Sequence, residues 1–229
     1  MWNVEDSPLG RIVVPPDLPL GFAVMSTTRD YPGRIVADEL TRFVHGRFGL
    51  ETSLTTCVQV HGATVVRAVR QSSWRECDSC DALWSPEKGV TLAIKVADCL
   101  PVSLIDVERG VIANVHSGWR GAVQNITSAA LDAAALDPSS TRAYLGPSIR
   151  ACCFEVGEEV AAQFDERFVD RSRAKPHVDV VALTVDLLRS RGIANISDSG
   201  LCTRCEGSIF HSYRRDRAGK GRNLVLVSQ

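Results

Sequence analysis

The sequence predicts a mixed-sheet α/β or α+β fold rather than a doubly wound parallel one. Three observations carry this. Short apolar runs of β character recur along the chain, and helical patterns fall among them without strict strand–helix alternation. The composition is that of ordinary globular proteins, 45% hydrophobic and 23% charged. No repeat, low-complexity tract or linker divides the 229 residues, a length that fits one large domain or two small ones. We read residues 1–229 as one domain, with 1–20 as an N-terminal arm or edge strand.

Residues 1–20 hold several prolines and short apolar pairs, as an edge segment would. Gly21 to Ser26 is a strand candidate and leads into the polar loop Thr27 to Gly33. Apolar residues at Ile35, Leu40, Phe43, Val44 and Phe48 keep a helical period, and Gly49 stands at the C-cap. Thr55 to Val60 and Thr64 to Val69 read as strands around His61-Gly62. Gln71 to Asp81 is polar and reads as a loop. Ala82 to Trp84, Thr91 to Ala97, Pro101 to Asp106 and Val111 to Val115 continue the strand pattern. Gln124 to Leu136 is an Ala-rich helix stopped by Asp137-Pro138. Arg142 to Leu145 is a strand before a Gly-Pro-Ser turn. Gly157 to Phe168 reads as a helix with an acidic first turn. Asp179 caps a helix from Val180 to Arg191, with Gly192 beyond its end. Ile209 to Tyr213 and Asn223 to Val227 close the chain as strands.

Lys and Arg number 26 against 27 Asp and Glu, a net charge of −1. That argues against a nucleic-acid binder working through bulk charge. No apolar run approaches the ~20 residues of a membrane span, and the N-terminus lacks a signal-peptide pattern. The expectation is a cytoplasmic protein whose eight cysteines stay reduced, free to serve as core residues, ligands or nucleophiles.

The stretch from Thr91 to Gly121 concentrates the chemistry. Its first apolar run stops at Asp98-Cys99. Its third stops at His116, before the turn Ser117-Gly118-Trp119-Arg120-Gly121. His61 likewise follows a strand and precedes a glycine. One Cys and two His form a set of three N/S ligands suited to zinc with an open fourth position, or to copper. The spacing is long and does not define a site by itself. The same residues also suit a Cys99 nucleophile with a histidine base, Asp98 orienting the imidazole. A third reading is a buried thiol and two histidines satisfied by backbone. Cys77/Cys80 and Cys202/Cys205 are two CxxC pairs, separated by far more than the ~15–20 residues of a zinc ribbon; we take them as ordinary cysteines. Cys152-Cys153 follows a strand and turn and could pack or line a cleft. Arg120 at the start of a helix is an anion candidate, as are Arg29 and Arg214-Arg215. Arg120 reads equally well as a solvent-facing residue of a plain strand–helix turn. Each of the others reads also as a surface charge.

Several segments together carry a resemblance. QVHG (59–62), VADCLPV (96–102), VHSGWRG (115–121), GPSIRACCFEVGEEV (146–160) and FHSYRRD (210–216) occur in this order. From about Gly21 to the C-terminus the chain resembles the laccase-domain family, whose members have been described as multicopper polyphenol oxidases, peptidoglycan editing factors and purine nucleoside phosphorylases. The resemblance implies a single α/β domain of packed mixed sheets flanked by helices. It implies a Zn²⁺ (or Cu²⁺) site at His61, Cys99 and His116. The family's arginine loop corresponds to Arg29 within Ser26 to Arg29, although the glycines that usually follow it are replaced by Asp30-Tyr31-Pro32-Gly33.

The implied activity is phosphorolysis of adenosine, inosine or methylthioadenosine, with adenosine deamination at the same centre. Zinc with an open position lowers the pKa of bound water to about 7, which suits deamination. Phosphorolysis needs a phosphate beside the sugar, and Arg120 and Arg29 are the candidates for holding it. Asp98 is the candidate partner or proton carrier for the metal centre. The implied partners are small molecules, a nucleoside and phosphate, with no nucleic acid and no membrane; the sequence gives no oligomeric state. The competing readings are a copper-dependent polyphenol oxidase and an amidase editing peptidoglycan precursors. Five histidines are too few for the several copper centres of a conventional laccase.

Overall fold

The computed structural model describes residues 1–217 and 221–229. Two mixed sheets stack face to face. The first has seven strands in the spatial order β1 (Asn3–Glu5), β2 (Ile12–Val14), β3 (Ala23–Thr27), β15 (Asn223–Ser228), β8 (Val90–Val96), β4 (Ser53–Cys57) and β6 (Arg75–Cys77), with labels following the chain. The second has six: β14 (Asn195–Asp198), β11 (Thr141–Leu145), β9 (Leu100–Asp106), β10 (Val111–Ser117), β7 (Ala82–Ser85) and β5 (Val65–Arg67). Parallel pairs (β4 with β6 and β8, β5 with β7, β11 with β14) are mixed with antiparallel ones. A ribbon of β12 (Val169–Asp170) and β13 (His177–Val178) stands apart.

Strand periodicity sets the layers. On β8, Val90, Leu92, Ile94 and Val96 face the space between the sheets, while Ala93 faces outward. On β10, Ile112 joins this inter-sheet core, and Val111, Ala113 and Val115 turn to the opposite face. Helix α1 (Ala37–Phe48) covers the outer face of the first sheet, packing Leu40 and Val44 with Met25, Ala93 and Leu226. Helices α3 (Ile126–Ala133) and α5 (Val180–Ser190) cover the second, packing Ile126, Ala130 and Leu188 with Leu104 and Val115. The result is one domain of four layers, helix, sheet, sheet and helices, as the sequence pattern and resemblance implied. One buried polar group ties the sheets together. Asn114 on β10 donates to the carbonyls of Leu92 and Val225 in the first sheet, each at 2.9 Å, and accepts from Ser103 at 3.1 Å.

The terminators act as expected. Gly49 takes φ 71° and closes α1 through its N–H to His45. The Asp179 carboxylate accepts from Ala182 N at 2.8 Å to start α5, and Gly192 takes φ 82° beyond it. Elsewhere tertiary contacts override the local pattern. The expected loop 71–81 contains β6, an edge strand whose exposed Arg75 and Glu76 carry no apolar period and which is fixed by pairing with β4. The strand expected from Ile209 to Tyr213 is a turn followed by the short helix α6 (Tyr213–Asp216), because the Ser212 hydroxyl accepts from Arg215 N and caps it. The helix expected from Gly157 to Phe168 breaks into α4 (Glu158–Ala161) and a 3-10 turn at Glu166–Phe168 that Asp165 caps through Arg167 N. The helix expected from Gln124 to Leu136 is α3, preceded by the five-residue α2 (Trp119–Val123). No helix among the described residues is long and apolar enough to cross a membrane.

Candidate metal centre

The centre forms at one end of the sandwich, where two of the chain's crossings from the first sheet to the second meet. One crossing runs from β4 to β5 and carries His61. The other runs from β8 to β9 and carries Asp98 and Cys99. β10 ends beside them with His116. The ligand atoms of His61, Cys99 and His116 all lie within 4.8 Å of one another, and the two imidazoles meet edge to face at 4.9 Å between centroids. Both crossings use uncommon backbone: His61 sits at φ 62° and Asp98 at φ 86°.

The group that organises the centre is one the sequence reading overlooked. Asp81, fully buried, accepts from the backbone N–H of His61 at 2.9 Å, Gly62 at 2.7 Å and Val60 at 3.2 Å. Its Oδ1 also lies 2.8 Å from His116 Nδ1. Burial opposes its charge, but the bonds from His116 and from the N–H groups of Gly62 and His61 hold it below the usual carboxylate range. An ionised carboxylate only accepts, so His116 Nδ1 carries the proton and the other ring nitrogen is left for Cys99 or a metal. This is the carboxylate–histidine arrangement that orients metal ligands. Gln59 braces the same loop, exchanging two 2.8 Å hydrogen bonds with the backbone of Lys95 on β8.

Thiol and imidazole polarise each other. Burial would raise the Cys99 thiol, yet hydrogen bonding with His116 and His61 brings it down to about 6. Burial likewise disfavours charge on His116, yet its bonds to Asp81 and Cys99 carry it up to about 9. A thiolate and a fixed imidazole are the donor set for a borderline-soft ion. Gly118 lets the three approach: a Cβ there would stand 3.0 Å from Cys99 Sγ and 3.3 Å from His61 Cδ2. The residues therefore fit a metal, with His61, Cys99 and His116 as ligands and the cleft side open.

The cleft over this centre encloses about 860 Å³. Trp119, Phe154 and Ile149 form its apolar wall, and Lys95, Arg120, Arg214 and Arg222 bring positive charge. Arg120 stacks over Trp119 at 4.3 Å. The Ser117 hydroxyl is buried near Cys99 with no hydrogen-bond partner among the described residues. Arg29 does not line this cleft; its guanidinium is bonded to the Gly207 carbonyl. Asp98 does not orient an imidazole. Its carboxylate accepts from Thr203 Oγ1 and Arg214 N, each at 2.6 Å, and Asp81 fills the role expected of it. Cys77 and Cys80 lie in the inter-sheet core with Cys57, away from Cys202 and Cys205, which meet Cys152 and Cys153 instead.

Residues 21–229 match the family described as multi-copper polyphenol oxidoreductase laccase. A purine nucleoside phosphorylase of Deinococcus radiodurans is 37% identical over 176 residues, 74% of this chain and 67% of that protein. Another, from Xylella fastidiosa, is 33% identical over 242 residues, 91% of this chain and 93% of its own. Adenosine deaminase RL5, from an unknown prokaryotic organism, is 35% identical over 66% of this chain and 62% of its own. Among solved structures, a Neisseria meningitidis protein of the DUF152 family superposes with a TM-score of 0.78 at 26% identity, covering 99% of this chain and 98% of that one. Over nearly its whole length, then, the chain belongs to the multi-copper polyphenol oxidoreductase laccase family.

Proposed function

We propose that the protein is a metal-dependent purine nucleoside enzyme. Its reaction is phosphorolysis of adenosine, inosine or methylthioadenosine, and it deaminates adenosine at the same centre. The observation that carries this is the His61–Cys99–His116 cluster at the floor of a cleft with one aromatic wall and several cations. The names of the relatives support the substrate class.

A zinc ion held by the three ligands would supply Lewis acidity and an activated water. The chain's own groups do the rest. Trp119 and Phe154 present apolar faces on which a purine can lie. Arg120 and Arg214, which line the cleft, would hold a phosphate beside the sugar through charge-assisted bonds. Asp81 keeps His116 in one tautomer and both histidine loops in place. Ser117 offers an unused hydroxyl at the same end. The ion we propose is zinc, which catalytic sites hold with three protein ligands and an open position; the same donor set also suits copper. A cytoplasmic location, in which the thiols stay reduced, belongs to the same reading.

The test is product analysis by mass spectrometry after zinc-loaded protein meets adenosine, with and without phosphate, and with Cys99→Ala as control. The expected products are adenine and ribose 1-phosphate when phosphate is present, and inosine without it, each lost in the variant. No product from the wild type under either condition would overturn the proposal.

A further inference from the structure

Four cysteines that the proposed chemistry does not use converge on a second site. Cys152 and Cys153 lie in the turn after β11, and Cys202 and Cys205 in the loop after β14. A parallel bridge between Ser148 and Cys202 joins the two segments. All four sulfurs lie within 4.8 Å of one another. Cys153 and Cys205 are 3.4 Å apart, Cys152 and Cys202 3.8 Å, and Cys152 and Cys205 3.9 Å. A tetrahedral ion with metal–sulfur bonds of about 2.3 Å has sulfur–sulfur edges of about 3.8 Å. Two of these separations match those edges, the third is shorter, and all are far from the ~2.05 Å of a disulfide. They also leave no room for an iron–sulfur cluster, whose cysteines stand further apart than the ligands of one ion.

We propose that Cys152, Cys153, Cys202 and Cys205 bind a single zinc ion as a closed tetrathiolate, distinct from the His61–Cys99–His116 centre. Binding releases the thiol protons and leaves a dianionic complex. The surroundings suit that charge. Arg173 donates to the Cys152 carbonyl at 3.1 Å and Arg215 to the Thr203 carbonyl at 2.8 Å, placing a guanidinium beside each ligand loop. Cys153 and Cys202 are buried, while Cys152 and Cys205 face solvent, which gives the ion a way in.

With four protein ligands the ion has no open position, so its role is structural. It holds the loop that sets Asp98. Thr203, between the two cysteines of the CxxC pair, donates to Asp98 Oδ1, and Ile149 N donates to the Asp98 carbonyl at 2.9 Å. Asp98 precedes Cys99, so the tetrathiolate would pin the backbone that presents the Cys99 ligand.

The experiment uses the full chain, purified under reducing conditions and loaded with zinc. Metal analysis should find two zinc ions per chain in the wild type. His61→Ala/His116→Ala and Cys202→Ser/Cys205→Ser should each retain one. Because the serine variant could fail to fold, the wild type is also treated with iodoacetamide and its peptides mapped. Zinc should slow alkylation of Cys152 and Cys205 at least about tenfold, and a chelator should restore the rate. Cobalt in place of zinc should give the strong visible absorption of tetrahedral cobalt thiolate in the double-histidine variant. The same zinc content in Cys202→Ser/Cys205→Ser as in the wild type, equal alkylation with and without zinc, or a mass showing disulfides in the reduced preparation would each overturn the proposal. None of these readouts depends on nucleoside turnover, so loss of the proposed activity would leave this result intact.

Discussion

Replacing Asp81 by asparagine should damage the fold and the metal centre together, by amounts the geometry sets. The carboxylate accepts four hydrogen bonds, two on each oxygen. Asparagine keeps one oxygen and turns an NH2 group toward two donors. If the amide faces Val60 and Gly62, two backbone N–H groups lose their acceptor. If it faces His61 and His116, the His61 N–H is orphaned, and the imidazole must move its proton to the other nitrogen so that Nδ1 can accept. The nitrogen a metal needs is then blocked. Hydrogen bonds to a charged group contribute about 1.5–3 kcal/mol each. Losing two, partly offset by no longer burying a charge, gives a destabilisation of about 3–5 kcal/mol. Misorienting a metal-binding histidine costs about 10–100-fold in affinity.

Two assays check this. Urea unfolding of the metal-free proteins should show the midpoint of Asp81→Asn lowered by about 1–2 M, given a denaturant slope of about 2–3 kcal/mol/M. Zinc competition with a chelator gives the affinity, while the imidazole 15N shifts of His61 and His116 report tautomer and ligation apart from any sulfur site. If the variant kept the wild-type midpoint, the His116 Nδ1–H tautomer and an unchanged zinc affinity at the histidines, the organising role of Asp81 would be refuted.

Four further outcomes are expected. Arg120→Ala should lower kcat/KM for phosphate by about 10–100-fold, the equivalent of one charge-assisted contact, and leave adenosine deamination within about twofold; equal loss in both reactions would place Arg120 elsewhere in the mechanism. Gly118→Ala, whose methyl would press on Cys99 and His61, should weaken zinc binding about tenfold while costing about 1–2 kcal/mol of stability, read by chelator competition and urea unfolding. Asn114→Ala removes the bridge between the sheets and should cost about 2–4 kcal/mol, a fall in Tm of about 5–15 °C, visible by calorimetry. Asp30 is held down to about 2 by its side-chain and backbone bonds from Arg11. This depressed carboxylate contributes stability above pH ~4 that is lost as pH falls toward 2. The pair is about one-third exposed, so Asp30→Asn should cost only about 1 kcal/mol at pH 7, and the gap from wild type should shrink between pH 4 and pH 2; a gap that held constant would refute the linkage.

What the sequence revealed of the fold follows from which forces act locally. The strands β8, β9 and β10 were legible because each is buried on both faces and reads as a continuous apolar run. The helices α1 and α5 were legible because one apolar face and a terminating glycine lie within a dozen residues. β6 and the α6 turn were not, because what fixes them is distant. β6 exists only by pairing with β4, and α6 is held by the bond from Arg214 N to Asp98 as well as by the Ser212 cap. No window of neighbouring residues contains the β4 pairing or the bond to Asp98.

The site divides along the same line. His61, Cys99 and His116 could be named early because each ends a strand beside a turn, a local mark. Asp81 could not. It stands at the end of a polar stretch that reads as a loop, and its function comes from accepting at once from the β4–β5 crossing and from the end of β10. A signal was present: a lone carboxylate directly before the apolar run of β7 is costly to bury unless it is paired. Asking where that charge finds its donors would have pointed to the histidines. Asp98 invited the opposite error. Adjacency to Cys99 suggested partnership, yet its φ of 86° turns the peptide, and its carboxylate lies against Thr203 and Arg214. Likewise Cys202 and Cys205 looked unrelated to Cys152-Cys153 in sequence, and it is the parallel register of β11 with β14 that brings the four sulfurs together. Spacing along the chain reveals ligands that one turn supplies. Ligands supplied by two strands follow from sheet order, and sheet order is decided by the burial of whole faces.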